Sequence, residues 1–260
     1  MLPNLTHLFH LSGKTALVTG AGSGLGRAIA EGLAQFGAAV SLVDLSRESA
    51  QAGADSIAQT GAKAIAFGCD VTRRDHVEAA VERTVAELGR IDVLAAVAGI
   101  GDRNPAEEMA DTQWDRVIDV NLKGVWLINQ AVGRHMIARG GGGSIINMSS
   151  IAGQVGLRTG NVNYGASKGG VIALTRTLAI EWARFNIRVN AMAPVQFKTP
   201  LTLGLIAKKP ETEAYFLSRI PLGRLGEVWE IIGPAVFLAS EASTMVTGIV
   251  LNVDGGHTAE

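Results

Sequence analysis

The sequence predicts an α/β fold in which one doubly wound parallel sheet of about seven strands carries helices on both faces. Three features lead there. Short apolar runs alternate with helix-length stretches from Lys14 almost to the end of the chain. The runs are rich in Val, Ile and Leu and do not alternate apolar with polar, which is how strands read when both faces are covered. The connections are short, as right-handed crossovers between parallel neighbours require.

The elements follow in order. Lys14–Thr19 (KTALVT) reads as the first buried strand and Leu25–Phe36 as the helix behind it. Ala39–Val43 is the second strand, Arg47–Gln59 a helix, and Ala62–Phe67 the third strand. Arg73–Leu88 is a long amphipathic helix leading to a fourth strand, Asp92–Val97. Thr112–Ala138 is mostly helical, and Ser144–Met148 is the fifth strand, after the Gly140–Gly143 turn. Tyr164–Phe185 is a helix, Ile187–Ala191 the sixth strand, Val228–Ser240 a helix and Ile249–Val253 the last strand. Residues 1–12 form a lead, and 196–222, with three prolines and no steady period, reads as a loop that covers a site. No repeat or linker divides the 260 residues, so one domain is expected over 1–260.

Composition narrows the function. A hydrophobic fraction of 47% supplies a full core, and a formal net charge of −1 gives no basic surplus for nucleic acid or an anionic membrane. Cys69 is the single cysteine, so no intrachain disulfide forms, which fits a reducing compartment. The start lacks a basic end followed by an apolar run, and no unbroken apolar stretch is long enough to span a bilayer. A cytoplasmic protein acting on a small molecule is expected, with no nucleic-acid or membrane partner and no metal site.

The first strand runs into Thr19-Gly20-Ala21-Gly22-Ser23-Gly24-Leu25-Gly26, where a helix opens. Unpaired N–H groups and the positive end of the helix dipole favour phosphate there, and glycines clear its approach. The strict G-x-G-x-x-G spacing fails, because the third glycine would fall on Leu25 or Arg27, and no Gly-Lys-Ser/Thr of a P-loop follows. Kinase and nucleotide-hydrolase chemistry is thereby disfavoured. Asp44 ends the second strand, where a carboxylate can accept both hydroxyls of an adenosine ribose and repels a 2′-phosphate. NAD is therefore favoured over NADP. An N-cap is the other use for Asp44, although Ser46 could serve as the cap.

Tyr164-Gly165-Ala166-Ser167-Lys168 sets a phenol and an ammonium at i and i+4 on one helix face. A phenol has a pKa near 10, and a neighbouring cation lowers it. The pair suits removal of an alcohol proton while hydride leaves for a nicotinamide.

Together, Thr19-Gly20-x-x-x-Gly24-x-Gly26, Asn121, Ser150 and Tyr164-x-x-x-Lys168 resemble the short-chain dehydrogenase/reductase family, from about Lys14 to Gly256. The resemblance implies a Rossmann fold and hydride transfer between NAD and an alcohol or ketone carbon. It implies Tyr164 as general acid/base and Lys168 on the nicotinamide ribose. Ser150 would bond the substrate oxygen, with Ser149 as the alternative, and Asn121 would hold a water linking Lys168 to solvent. Gly20, Ser23, Gly24, Leu25 and Gly26 would hold the pyrophosphate, Asp70 and Val71 would lie at the adenine, and Ala98 and Gly99 along the adenosine ribose. Pro194 to Thr199, with Phe197, would form the nicotinamide loop, Thr199 bonding the carboxamide; its other use is as an N-cap.

The chain departs from the family pattern in four places. Ala96-Val97 stands where the family has two asparagines, and Val195 replaces the usual Gly after Pro194. One extra residue falls within 158–162, and Gln196 is an unusual polar choice. Arg103, Gln154, Arg158, Asn161 and Asn163 are the polar members of the expected substrate region; Val155, Leu157, Phe197 and Leu201 are the apolar ones. Such a lining suits a polyol, sugar or sugar acid.

The runs Leu8–Lys14 and Phe197–Thr202 resemble gluconate 5-dehydrogenase-like members. A 3-oxoacyl carrier-protein reductase or hydroxysteroid-type ketone reductase is the alternative, and an NAD-binding sensor or scaffold without turnover is a third reading. The family implies a homotetramer, built on the helices near Thr112 and Tyr164 and on the last helix and strand. Trp114, Trp126, Trp182 and Trp229 are expected in core or interface, and Arg158, His135 and His257 at the surface.

Overall fold

A computed structural model describes residues 7–158 and 160–259. Seven parallel strands lie in the order β3-β2-β1-β4-β5-β6-β7. They are β1 (Thr15–Thr19), β2 (Ala39–Asp44), β3 (Ala64–Gly68), β4 (Val93–Ala96), β5 (Gly143–Met148), β6 (Ile187–Pro194) and β7 (Val250–Val253). The helices between them are α1 (Gly24–Gln35), α2 (Arg47–Ala58), α3 (Arg74–Leu88), α4 (Asp111–Ile118), α5 (Gly124–Arg139), α6 (Val162–Trp182), α7 (Pro200–Lys208), α8 (Glu211–Leu217) and α9 (Ile232–Ala239).

The uniformly apolar strands are explained by two cores, one on each face. Successive side chains of a strand point to opposite faces. Ala16 and Val18 of β1 therefore join the core with Ile29, Leu33 and Val236, while Leu17 joins the other with Leu94, Ile128 and Val171. Ile146 and Ile145 divide between the two cores in the same way.

Three elements differ from the sequence reading. The expected helix over 112–138 is divided by a π-helical turn, Asp119–Lys123, between α4 and α5. At the junction Gly124 packs so closely on Val71 that a β-carbon would come within 2.8 Å of Val71 Cγ2. The segment 196–222 is not a loop, since it contains α7 and α8. Its prolines punctuate rather than forbid helix. Pro200 is the first residue of α7, behind Thr199, whose hydroxyl accepts the Thr202 N–H at 3.3 Å, and Pro210 precedes α8. Finally, β6 runs three residues beyond Ala191, to Pro194. The first six residues of the N-terminal lead lie outside the described residues.

The histidines also depart from expectation. His257 is buried, with neither ring nitrogen bonded to any described residue. His135 is half-buried, and its Nε2 accepts the Ile91 N–H at 3.2 Å. Trp126 and Trp182 pack on the core, whereas Trp114 and Trp229 are exposed.

Candidate active site

All strands are parallel, so their C-terminal ends share one edge, and the order reverses between β1 and β4. A crevice at such a reversal is where this architecture receives ligands. The edge holds a cavity of about 630 Å³. Every expected catalytic or cofactor-binding residue lines it except Asn121.

The glycine loop forms the floor. Gly20 has a φ of +67°, and a β-carbon there would lie 2.8 Å from Ala98 Cα. A β-carbon on Gly26 would lie 2.1 Å from the Gly20 carbonyl oxygen, so the helix start sits tight beneath the turn. Ser23 stands at the N-cap of α1 without a side-chain cap bond, which leaves the helix's first N–H groups to a ligand. Asp44 Oδ2 accepts the Gly22 N–H at 2.9 Å and Oδ1 the Ser46 N–H at 3.0 Å. Ser46, not Asp44, caps α2 by accepting from Ser49 N. The cleared floor and the open helix start fit the pyrophosphate of a dinucleotide, with the acid at its side.

Farther along the edge, Asp70 accepts the Thr72 N–H at 2.9 Å and the Thr72 hydroxyl at 2.7 Å, bonds that hold its carboxyl below its ordinary pKa. Val71 lies beside it. Ala98 and Gly99 follow β4, and the Thr19 hydroxyl accepts the Val97 and Ala98 N–H groups at 3.1 and 3.2 Å. Those bonds tie β4 to β1 next to the Ala96-Val97 departure. Pro194, Phe197 and Thr199 line the opposite wall, and Thr199 takes up the N-cap position of α7.

At the far end Ser150 follows β5, and Tyr164 and Lys168 project from the first turns of α6. The Ser150 hydroxyl faces the Tyr164 phenol and lowers its pKa. Ser149 is spent differently, donating its hydroxyl proton to the Lys168 carbonyl oxygen at 2.9 Å and so bracing α6 on β5. Lys168 is buried, donates to the Met148 carbonyl at 2.7 Å and faces no carboxylate among the described residues. Burial pulls its ammonium down to a pKa of about 8.

One expectation needs correction. The phenol of Tyr164 is not made more acidic by the residues around it. Burial raises its pKa, and the Ser150 hydroxyl and the charge of Arg103 offset only part of that rise. Lys168 does little here because its ammonium is turned to the Met148 carbonyl, 5.6 Å from the Tyr164 ring centroid. Asn121 is set behind the cavity. Its Oδ1 accepts the Ile100 N–H at 2.8 Å, and its Nδ2 donates to the Ile100 carbonyl at 2.9 Å and to Ser167 Oγ at 3.2 Å. It still approaches Lys168 across Gly99, where a β-carbon would lie 3.3 Å from Asn121 Oδ1 and 3.4 Å from Lys168 Nζ.

Of the expected polar substrate residues, Arg103 and Asn161 reach the cavity. Gln154 instead bonds Asn252 at 2.7 Å, Asn163 is fully buried against α4, and neither Arg158 nor Val155 lines the space. Leu157 and Leu201 do line it. Sequence reasoning did not single out Leu205 and Phe216, which come from the two unforeseen helices, or Met148, which acts through its carbonyl. Arg103 is open to solvent on its outer side, makes no salt bridge among the described residues, and has its pKa pushed down by partial desolvation. Among the described residues its charge interaction at the site is with Tyr164.

A family profile described as Enoyl-(Acyl carrier protein) reductase matches residues 20–258. The 5-keto-D-gluconate 5-reductase of Escherichia coli K12 is 42% identical over 97% of this chain and 98% of its own. The 3-oxoacyl-[acyl-carrier-protein] reductase of Thermotoga maritima is 45% identical over 95% of this chain and 98% of its own. Among solved structures, a gluconate 5-dehydrogenase from Burkholderia cenocepacia J2315, in complex with NADP and tartrate, superposes with a TM-score of 0.92 at 39% identity, covering 99% of this chain and all of that one.

Proposed function

Because the chain belongs to the short-chain dehydrogenase/reductase family, we propose that it interconverts a secondary alcohol and its ketone on a sugar acid, using NAD. Polyols and neutral sugars are the wider class. The observation that carries the sugar-acid reading is Arg103: a cation at the cavity wall, without a carboxylate partner among the described residues, in electrostatic range of the phenol that would handle the proton. A carboxylate substrate supplies the missing partner. The named relatives that act on gluconate derivatives support the same class.

The chemistry follows from the residues. A bound nicotinamide supplies the hydride acceptor or donor. Tyr164 takes the alcohol proton in oxidation and returns it in reduction. Ser150 donates to the substrate oxygen and steadies its developing charge. Lys168 would hold the nicotinamide ribose hydroxyls, and its ammonium there would favour the phenolate. Gly20, Ser23, Gly24, Leu25 and Gly26 would hold the pyrophosphate, and Asp44 the adenosine ribose. Asp70 and Val71 would border the adenine, Ala98 and Gly99 would line the ribose path, and Pro194, Phe197 and Thr199 would enclose the nicotinamide. Asn121 supports Ile100 and Ser167 behind Lys168. Asp44 favours NAD, although the Burkholderia relative holds NADP.

We read the protein as one catalytic domain of a cytoplasmic homotetramer. The exposed apolar residues Ile180, Met245 and Ile249, near the end of α6 and the outer strand β7, support self-association. No helix among the described residues is long and apolar enough to cross a membrane.

The test is a panel of sugar acids, their uncharged counterparts, 3-oxoacyl thioesters and simple secondary alcohols, read by NADH absorbance. Highest kcat/KM on a sugar acid is expected. Preference for the acyl thioester would favour the reductase reading, and tight NAD binding with no turnover on any member would favour a sensor.

A further inference from the structure

Arg103 sits in a stretch without regular structure, Ile100–Pro105, so something outside it must fix where its guanidinium lies. Its two neighbours, Asp102 and Asn104, both reach one residue of α4, and Asn104 Nδ2 also donates to the Glu108 carbonyl at 2.7 Å. Gln113 Nε2 donates to Asp102 Oδ1 at 3.0 Å, and Gln113 Oε1 accepts from Asn104 Nδ2 at 3.4 Å and from the Ala110 N–H at 3.3 Å. The same residue reaches the other reactive group through its backbone. Its carbonyl accepts from Asn163 Nδ2 at 3.2 Å, and Asn163 Oδ1 accepts the Tyr164 N–H at 2.7 Å. Asn163 is fully buried, so this link is not exchanged with water. The Asn104 N–H donates in turn to the Gly160 carbonyl at 2.8 Å, closing the stretch onto the segment before α6.

We propose that Gln113 is a positioning residue that holds the Arg103-bearing stretch in register with Tyr164 and thereby sets the preference of the site for an anionic substrate. The proposal rests on the reading of Arg103 as the carboxylate anchor. Glutamine suits the place because the hub must donate to a carboxylate and accept from two N–H groups at once. A glutamate accepts but cannot donate, and an apolar residue does neither. Arg116 also pairs with Asp102, at 2.7 Å, so the carboxylate is held by both residues. Gln113 alone also reaches Asn104 and, through Asn163, the Tyr164 backbone.

The experiment compares kcat/KM for a sugar acid and for its neutral primary amide in the full-length enzyme with NAD. The variants are Arg103→Ala, Gln113→Ala, Gln113→Glu and the double variant Asp102→Asn/Gln113→Glu, which restores the donor–acceptor pair in reverse. Gln113→Ala is expected to cut the acid-over-amide ratio about tenfold, mostly through KM for the acid, as loss of a charged hydrogen bond does. It should also move the alkaline rise of the oxidation rate to higher pH, because the cation beside Tyr164 is less well held. The double variant should recover much of the ratio. An equal loss on acid and amide, or no loss, while Arg103→Ala does reduce the ratio, overturns the role of Gln113 and leaves the Arg103 reading standing. If Arg103→Ala leaves the ratio unchanged, both fall. Should Gln113→Ala fail to fold, Gln113→Glu is read against the double variant, because glutamate loses the donor and also faces Asp102 with a second carboxylate: a selective loss on the acid that adding Asp102→Asn reverses supports the role, and a uniform loss, or a selective loss that Asp102→Asn leaves in place, overturns it.

Discussion

Replacing Lys168 by methionine removes a buried charge while keeping most of the side chain's length, and its effect on stability should depend on pH in a particular way. In the folded chain the ammonium has its pKa lowered by burial from 10.5 to about 8. That difference corresponds to about 3 kcal/mol, at roughly 1.4 kcal/mol per unit. The unfolded chain holds the extra proton between these two values, so wild-type stability gains from this group as pH rises through that window. Below it the folded protein carries the whole penalty, and above it none. The methionine variant has no such slope. Its loss of the donor to the Met148 carbonyl, a bond of 2.7 Å, adds an offset of about 1 kcal/mol that does not change with pH. Urea unfolding without dinucleotide, followed by tryptophan fluorescence, should show the variant gaining on the wild type by about 2–3 kcal/mol more at pH 7 than near pH 10. A variant-minus-wild-type difference that stays constant across that range would refute the claim that Lys168 is buried charged and unpaired.

Other outcomes follow from the same geometry. Asp44→Ala should reduce the preference for NAD over NADP by about tenfold or more, read as a ratio of kcat/KM values; an unchanged ratio would remove Asp44 from the ribose. Ser150→Ala should lower kcat by about 100-fold or more, whereas Ser149→Ala, which loses only the bond to the Lys168 carbonyl, should spare kcat and cost about 1 kcal/mol of stability. Gly26→Ala drives a β-carbon to 2.1 Å from the Gly20 carbonyl oxygen and should abolish dinucleotide binding by calorimetry; retained affinity would mean the loop yields. Burial raises the Tyr164 pKa, and oxidation needs its deprotonated form, so oxidation should accelerate and reduction slow as pH climbs from neutral into the alkaline range. Equal pH dependence in the two directions would contradict that assignment.

The strands were legible because Val, Ile and Leu fill both faces of each, a pattern that only a sheet covered on both sides requires. Residues that act through their type and spacing were legible too: the glycine loop, Asp44, Ser150 and the Tyr164–Lys168 pair all came together at one strand edge. What escaped was set by tertiary surroundings. Helices α7 and α8 were hidden because Pro200 and Pro210 read as breakers, when both stand at helix starts. The π-helical turn at Asp119–Lys123 carries no periodicity of its own in five residues. Helix spacing placed Lys168 beside Tyr164 but could not show that the Met148 carbonyl would claim its ammonium. Gln113 was invisible for the same reason, since its partners Asp102, Asn104 and Asn163 are gathered only by the fold.

The proton-transfer assignment is tested most directly by single-turnover hydride transfer in Tyr164→Phe, with dinucleotide affinity measured on the same preparation. A rate reduced by about 1,000-fold or more, with affinity within a few fold of wild type, is the expected result. A near-normal rate would mean that another group moves the proton.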